Sequence, residues 1–130
     1  MNRPIKFRAW DKIDNLLLDC VEINFHQKWV ALVYNNGEGG ELQQRKFGDI
    51  ELMQFTGLTD KNSKEIYEGD ILQYQAQWIN GGTHGDVTEN LEVRFNDGAF
   101  TTKLELLGNG LRRREMIVIG NIYENPELLK

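Results

Sequence analysis

The sequence has few of the side chains from which metal centres and many catalytic sites are built. Its 130 residues include one cysteine and two histidines. Cys20 has no second cysteine with which to form an internal disulfide, and His26 and His84 do not stand at a metal-ligand spacing from it. The composition therefore predicts a buried, inert thiol, no bound metal and no other cofactor.

The chain also lacks a long apolar run. No segment approaches the roughly 20 apolar residues that cross a bilayer, and the opening MNRPIKFRAW has no apolar core of a secretory signal. We therefore expect a cytoplasmic protein with no membrane partner. Twenty acidic against 15 basic residues give a net charge of −5, which weakens nonspecific attraction to nucleic acid.

A third absence is helical periodicity, because no segment carries a long apolar stripe at 3.6-residue spacing. Apolar and polar residues instead alternate from Ile5, within Leu16–Phe25 and within Leu91–Phe95, which is typical of half-buried strands. Turn residues separate these segments about every 8–15 residues. The pattern predicts a mainly β fold in a single domain, with a β-rich α+β fold as the alternative.

Glycine, asparagine and aspartate mark the predicted connections between strands. Asn35–Gly40 and Asp97–Gly98 contain the Asn-Gly and Asp-Gly pairs of tight hairpins. Asn80–Asp86 has three glycines and no large apolar side chain, so we predict a poorly ordered loop. Gly108–Gly110 predicts a turn before a buried strand at Met116–Ile119.

The segment TDKNSK in the middle of the chain predicts another turn. Asp60 and Asn62 resemble the opening of a calcium loop, but Lys64 and Ile71 occupy positions where that loop needs a ligand oxygen and a bidentate glutamate. We therefore expect Asp60 to bond nearby backbone, and Asn62 to tolerate the left-handed region that such turns use.

Two acidic residues that flank a glycine form a candidate acid–base pair. Glu68 and Asp70 would shift each other's proton affinity if they faced each other, and a third group, His84, would complete an acidic and histidine site. We favour a simpler interpretation, in which Asp70 stabilises a turn and Glu68 is exposed. An enzyme is thus the least favoured hypothesis, and it requires a pocket that gathers all three groups.

The only basic run is Arg112, Arg113 and Arg114. On a strand, the first and third of these side chains would share a face, where phosphates would bind while Trp78 stacked on bases. The acidic total and the absence of a nucleic-acid motif count against this site. A charged edge strand that prevents aggregation is the favoured interpretation.

Three blocks of sequence resemble the YopX family of bacteriophage and prophage proteins. They are IKFRAWD at Ile5–Asp11, LMQFTGLTDKNSKEIYEGDIL at Leu52–Leu72 and VIGNIYENPELL at Val118–Leu129. The family usually carries glycine where this chain has Ser63. The resemblance implies a phage origin and a small β-rich fold that assembles into oligomers, and it brings no established catalytic residues.

Together these observations predict one domain over residues 1–130, in which the strands of residues 1–55 extend a small SH3-like barrel within residues 56–130. Small barrels commonly act as binding modules. Our first hypothesis is a non-enzymatic accessory protein that binds a host or phage protein and self-associates. The alternative is a nucleic-acid-binding module that uses the basic strand face at Arg112–Arg114.

Overall fold

A computed structural model describes residues 3–34 and 40–130, except for the side chain of Trp78. The chain forms two compact units, Met1–Phe55 and Thr56–Lys130. The hairpin turn predicted at Asn35–Gly40 lies outside the described residues, apart from Gly40.

Antiparallel strands build the first unit. They are β1 (Phe7–Asp11), β2 (Leu16–Asn24), β3 (Trp29–Tyr34), β4 (Glu41–Lys46) and the first part of β5 (Ile50–Thr59). Their order in the sheet is β4-β3-β2-β1-β5, and β1 pairs with β2, β2 with β3 and β3 with β4, so the predicted N-terminal strands form an antiparallel meander. A small core packs beneath them, made of Ala9, Val30, Leu32 and Ile50.

A β-bulge interrupts the alternation predicted for the second strand. The register with β3 shifts between Cys20 and Glu22, and Val21 and Phe25 are exposed. Cys20 is a free thiol that is only half-buried, which is less burial than the sequence predicted. Burial still raises its pKa, which keeps the thiol protonated and unreactive at neutral pH.

The second unit contains shorter elements around one long hairpin. They are β6 (Glu65–Tyr67), β7 (Asp70–Asn80), β8 (Thr83–Glu92), β9 (Arg94–Asn96), β10 (Ala99–Thr101), α1 (Leu107–Arg113) and β11 (Ile117–Asn121). β7 is the centre of a three-stranded sheet with the order β11-β7-β8, and β9 pairs with β10. The larger core of the molecule lies here, made of Ile66, Leu72, Tyr74, Leu91, Val93, Leu107 and Met116.

The turn predicted at Asp97–Gly98 is confirmed, and both residues have positive φ. The loop predicted at Asn80–Asp86 is wrong, because these residues close the β7–β8 hairpin through a two-residue turn. Gly81 and Gly82 have φ of 59° and 89°, and these conformations suit glycine in a tight hairpin. Thr83 to Asp86 therefore belong to β8.

The turn predicted at Gly108–Gly110 is also wrong, because these glycines lie inside α1. Two glycines weaken a helix of this length, so tertiary packing must offset their poor propensity. Leu107 and Gly110 are its buried residues, and a Cβ atom at Gly110 would lie 3.1 Å from Cε of Met116. Glycine thus allows the helix to approach the core closely.

The mainly β fold class is confirmed, since antiparallel strands dominate and the helix is short. An SH3-like barrel in the second unit stays a prediction. Among the described residues, no helix is long and apolar enough to span a membrane.

Candidate functional site

Asp60 is a structural residue of the turn between β5 and β6. Its Oδ1 accepts hydrogen bonds from the backbone N–H groups of Asn62 and Lys64 at 2.8 and 2.9 Å, and its Oδ2 accepts one from Val118 at 2.9 Å. Burial raises the pKa of Asp60, but these three donors outweigh it and hold that pKa below its usual value. The turn residue with positive φ is Ser63, at 64°, and not Asn62.

Asp70 likewise serves the backbone. Its carboxylate accepts a hydrogen bond from the N–H of Tyr67 at 2.8 Å, while the peptide groups of Gly69 and Asp70 exchange hydrogen bonds with Val93 at 2.9 Å. Gly69 has φ of 81°, a conformation that suits glycine. Glu68 is half-buried and not exposed as predicted. The Glu68–Asp70 segment therefore fixes the entry to β7.

The structure does not bring His84 to the acidic pair. His84 is exposed and lies opposite Ile79 near the tip of the β7–β8 hairpin, whereas Asp70 begins β7. Nine residues of strand separate these ends, or about 30 Å at about 3.3 Å per residue. Across residues 3–34 and 40–130, no three His, Cys, Asp or Glu side chains are arranged to hold a metal ion.

The three arginines do not form a strand face. Arg112 and Arg113 end α1, and Arg114 is its C-terminal cap. Residues two apart on a helix point to different sides, which accounts for the separation of these side chains. Arg112 bonds to Asn109 on its own helix, whereas Arg113 and Arg114 both reach Glu105. Trp78 lies in β7 opposite Gly85, and its side chain lies outside the described part of the structure.

Glu105 pairs with two of the three arginines. Its Oε1 lies 2.5 Å from Nη1 of Arg114, and its Oε2 lies 3.3 Å from Nη1 of Arg113. The guanidinium of Arg114 also lies 5.1 Å from the ring centroid of Tyr74, a distance that allows a cation–π interaction. One carboxylate therefore holds two arginines, and one of them, Arg114, lies against Tyr74 of the long hairpin.

Beside these residues is a polar cleft of about 690 Å³. One side of it is a run of consecutive β7 residues, and the other comes from the β5–β6 turn and the segment that joins α1 to β11. The lining residues are Lys61, Gln73, Tyr74, Gln75, Ala76, Gln77, Asp86, Arg113, Arg114, Glu115 and Ile117.

Tyr74 anchors the cleft to the core. Its ring is buried, and its hydroxyl donates a hydrogen bond to Oε2 of Glu89 at 3.1 Å. Burial, and then this hydrogen bond, raise the pKa of Tyr74, so the phenol stays protonated and acts as a hydrogen-bond donor at neutral pH. The described residues that line the cleft thus offer polar contacts, and no nucleophile and base are held together among them.

A second organised polar cluster lies in the first unit. Asp11 is 0 % exposed, and its carboxylate accepts hydrogen bonds from Tyr34 and from Nε of Arg45, the latter at 3.1 Å to Oδ1. Asp14 lies 2.7 Å from the Tyr34 hydroxyl and 3.0 Å from Nη2 of Arg45. Burial raises the pKa of Asp11, but the Tyr34 and Arg45 hydrogen bonds hold it below its usual value. We call these four residues the Asp11 cluster.

The protein therefore belongs to the class of small antiparallel β proteins, and it carries a polar cleft at the edge of a sheet. Within that class, the chain belongs to the YopX family, whose model, described as YopX protein, matches residues 6–130. The crystal structure of protein EF1440 from Enterococcus faecalis is similar, with 30% identity, a TM-score of 0.70 and coverage of 99% of this chain and 100% of that chain. A comparison with curated proteins finds no match.

The family block around the β5–β6 turn now has a physical explanation. Ser63 stands at the position where the resemblance leads us to expect glycine, and its φ of 64° is in the left-handed region that glycine adopts without strain. Asp60, Ser63 and Gly69 all lie in the turns that connect the strands. The most recognisable part of the sequence is therefore a structural feature.

Sequence reasoning missed Lys61 and Tyr74, which line the cleft, and Glu105, which pairs with two of its arginines. The charge of Glu105 was a usable signal, because it lies seven to nine positions before the three arginines and opposite charges in a small domain often pair. No sequence pattern predicts the contact of Lys61 with Glu115, because the two residues lie 54 positions apart. Such contacts depend on the fold.

Proposed function

We propose that this chain is a non-enzymatic accessory protein of phage or prophage origin, which acts in the bacterial cytoplasm, binds a host or phage protein and self-associates. Family membership supports the origin. The observation that carries the binding role is the outer part of the β7–β8 hairpin, residues 75–88, which we call the arm. An SH3-like barrel in the second unit would agree with this role by analogy.

The arm carries exposed residues on both of its strands. Gln75, Gln77 and Ile79 are exposed on β7, and Thr83, His84, Asp86, Val87 and Thr88 are exposed on β8. Near the other end of β8, Nδ2 of Asn90 donates a hydrogen bond to the carbonyl of Leu128 in the C-terminal segment. Two-stranded ribbons without cover are marginally stable in water, so covering the arm would stabilise it.

Ile79 makes the arm suited to contact with another chain. It is 81 % exposed, the highest fraction among the large apolar residues of the described chain. Val87 is also exposed, but it pairs with Ala76 and so points to the opposite face of the hairpin. Exposed apolar surface of this kind is buried favourably in protein interfaces. A second copy of the chain, whose arm carries the same side chains, satisfies this requirement symmetrically.

Nucleic-acid binding is the alternative, and one observation favours it: Arg113 is 71 % exposed at the cleft. The overall charge argues against it, because the chain carries a net charge of −5, which weakens its attraction to the phosphate backbone. An enzyme has less support still, since His84 lies far from Glu68 and Asp70.

The first test is the solution mass of the protein by light scattering during size exclusion. We expect a mass that is a multiple of the 15.1 kDa protomer, and a shift toward the protomer mass for Ile79→Thr. Ile5→Thr is the matched control, since Ile5 is 69 % exposed outside the arm. A monomeric wild type, or equal masses for all three proteins, would contradict self-association through the arm.

The same experiment with added DNA or RNA at low and moderate salt separates the alternative. Phosphate contacts weaken steeply as salt rises. A mass increase that disappears with salt and with Arg113→Ala would favour nucleic-acid binding. An unchanged mass would leave protein binding as the supported function.

A further inference from the structure

β7 has a partner along the whole of one edge and along only part of the other. β8 pairs with it from Ile71 to Asn80. On the opposite edge, β11 pairs only with Asp70 to Gln73. Within the described part of the chain, no strand continues this second edge beyond Gln73. The open edge is the side on which the cleft lies.

Hydrogen-bond alternation shows which peptide groups face the open edge. In a hairpin with a two-residue turn, the residues that flank the turn form a hydrogen-bonded pair, here Asn80 and Thr83. Bonded and non-bonded pairs alternate along antiparallel strands, so the peptide groups of Gln75 and Gln77 point away from β8. Gln73 shares their parity and pairs with Ile117 of β11, in agreement with this assignment.

The cleft runs beside these peptide groups. Five consecutive residues of β7, from Gln73 to Gln77, line it, which is a length of about 16 Å at about 3.3 Å per residue. Its volume of about 690 Å³ is in the range of peptide-sized and ligand-sized sites. The shape and the exposed backbone therefore match an extended segment of about five to seven residues.

Charge at the cleft indicates the chemistry of that segment. Three cations line it, Lys61, Arg113 and Arg114, against two anions, Asp86 and Glu115, and Glu105 pairs with both arginines. Arg113 is 71 % exposed and its contact with Glu105 is 3.3 Å long, so this exposed pair can be exchanged for one with a ligand carboxylate. Exposed pairs such as Lys61 with Glu115 hold their partners weakly and can exchange them.

We propose that the open edge of β7 at Gln75 and Gln77 binds an extended, acidic segment of a partner protein by adding it as a further strand. Backbone hydrogen bonds to the edge supply affinity, and a carboxylate on the segment meets Arg113. This inference rests on the proposed protein-binding function and names the kind of segment that is bound.

The probe is a hexapeptide of alternating valine and glutamate, blocked at both ends, titrated calorimetrically into the full chain. We expect binding that weakens about tenfold when alternate peptide nitrogens, on the bonded side, are methylated. Methylation leaves the side chains and charges unchanged but removes the donors that strand addition needs. The lysine analogue, with valine and lysine alternating, should bind more weakly than the glutamate peptide.

Gln77→Pro and Gln77→Thr form the matched pair of variants. Proline removes the N–H group that faces the open edge but leaves the β8 ladder intact, and such edge positions tolerate it. We expect about a tenfold loss of affinity for the proline variant and little change for the threonine variant. If the proline variant does not fold, the methylated peptide alone decides.

Equal binding of the parent and methylated peptides, or no binding of the glutamate peptide, would overturn the proposal. The oligomer mass keeps the two proposals distinguishable. If the protein is a multimer but does not bind the peptide, self-association stands and strand addition is overturned. If it is a monomer that binds the peptide, strand addition stands and self-association is overturned.

Discussion

Arginine and carboxylate meet in both units of this protein, with different consequences. In the Asp11 cluster, the carboxylate is fully buried and the Arg45 side chain is 12 % exposed. At the cleft, Glu105 is 17 % exposed, but its partner Arg113 is 71 % exposed. The same ion-pair chemistry is thus enclosed in one unit and open to solvent in the other.

Burial decides what each ion pair contributes. A buried charge that loses its partner remains in a poor solvent, so removing one member is costly. An exposed charge is rehydrated when its partner is removed, and the loss is small. The Asp11 cluster therefore belongs to the stability of its unit, while the arginines at the cleft remain available for a ligand.

The largest predicted effect is in the Asp11 cluster. Asp11→Ala leaves the guanidinium of Arg45 largely buried beside the Tyr34 hydroxyl, and we expect a loss of about 3 kcal/mol in the free energy of unfolding. Denaturant unfolding measures it. Asp14→Ala is the control in the same cluster, and its half-exposed carboxylate should contribute less than about 1 kcal/mol. Equal losses in the free energy of unfolding would show that burial does not explain how much each carboxylate contributes.

The second largest predicted effect is the loss of stability in acid, which depends on the buried carboxylate of Asp60. The pKa of Asp60 is lowered from 3.8, so its stabilisation is fully present above that pH and is lost as pH falls through the lower folded-state pKa. We expect stability to fall on acidification below about pH 4. Asp60→Asn should be less stable near pH 7, by about 1–3 kcal/mol for its lost acceptor, and should show a shallower acid dependence. An unchanged slope would contradict this assignment.

Glu105→Gln should have a smaller effect on stability, of about 1 kcal/mol or less, because one of its two partners is largely exposed. Its effect should also shrink as salt rises, since exposed charges are screened. Unfolding at low and high salt measures both. A loss of stability that does not depend on salt and is as large as that of Asp11→Ala would show that the Glu105 ion pairs behave as buried ones.

Ser63→Gly supplies a case that involves no charge. Glycine removes the strain of φ at 64°, but it also enlarges the entropy of the unfolded chain. We expect a net gain of about 0.5 kcal/mol or less, measured as a small rise in the thermal midpoint. Ser63→Ala keeps the backbone strain and is the control. A loss of stability in the glycine variant would show that the serine side chain has a compensating contact.

Much of the architecture was predictable from local pattern. The N-terminal meander and the turn at Asp97–Gly98 follow from alternation and turn chemistry, which act between neighbouring residues. Asp60 was predicted to bond nearby backbone and does so. Its third hydrogen bond, to Val118, was not predictable, because it joins residues 58 positions apart.

The errors share a physical cause. The local sequence around Gly81 and Gly82 favours a loose loop, but strand pairing on both sides makes them the turn of a tight hairpin. The local sequence at Gly108 and Gly110 favours a turn, but packing against Met116 stabilises a helix there. In both places, burial and pairing with distant residues outweighed weak local preferences.

The mainly β class, the family and the main turn chemistry can be read from the sequence alone, because strand alternation and turn preference are properties of short segments. The candidate site follows from the fold instead. Among the described residues, the pairing of β11 with β7 ends at Gln73, which leaves one edge of the outer part of β7 without a strand, and Glu105 pairs with Arg113 and Arg114. Where a strand lacks a partner depends on how distant segments pair, and no local pattern encodes that.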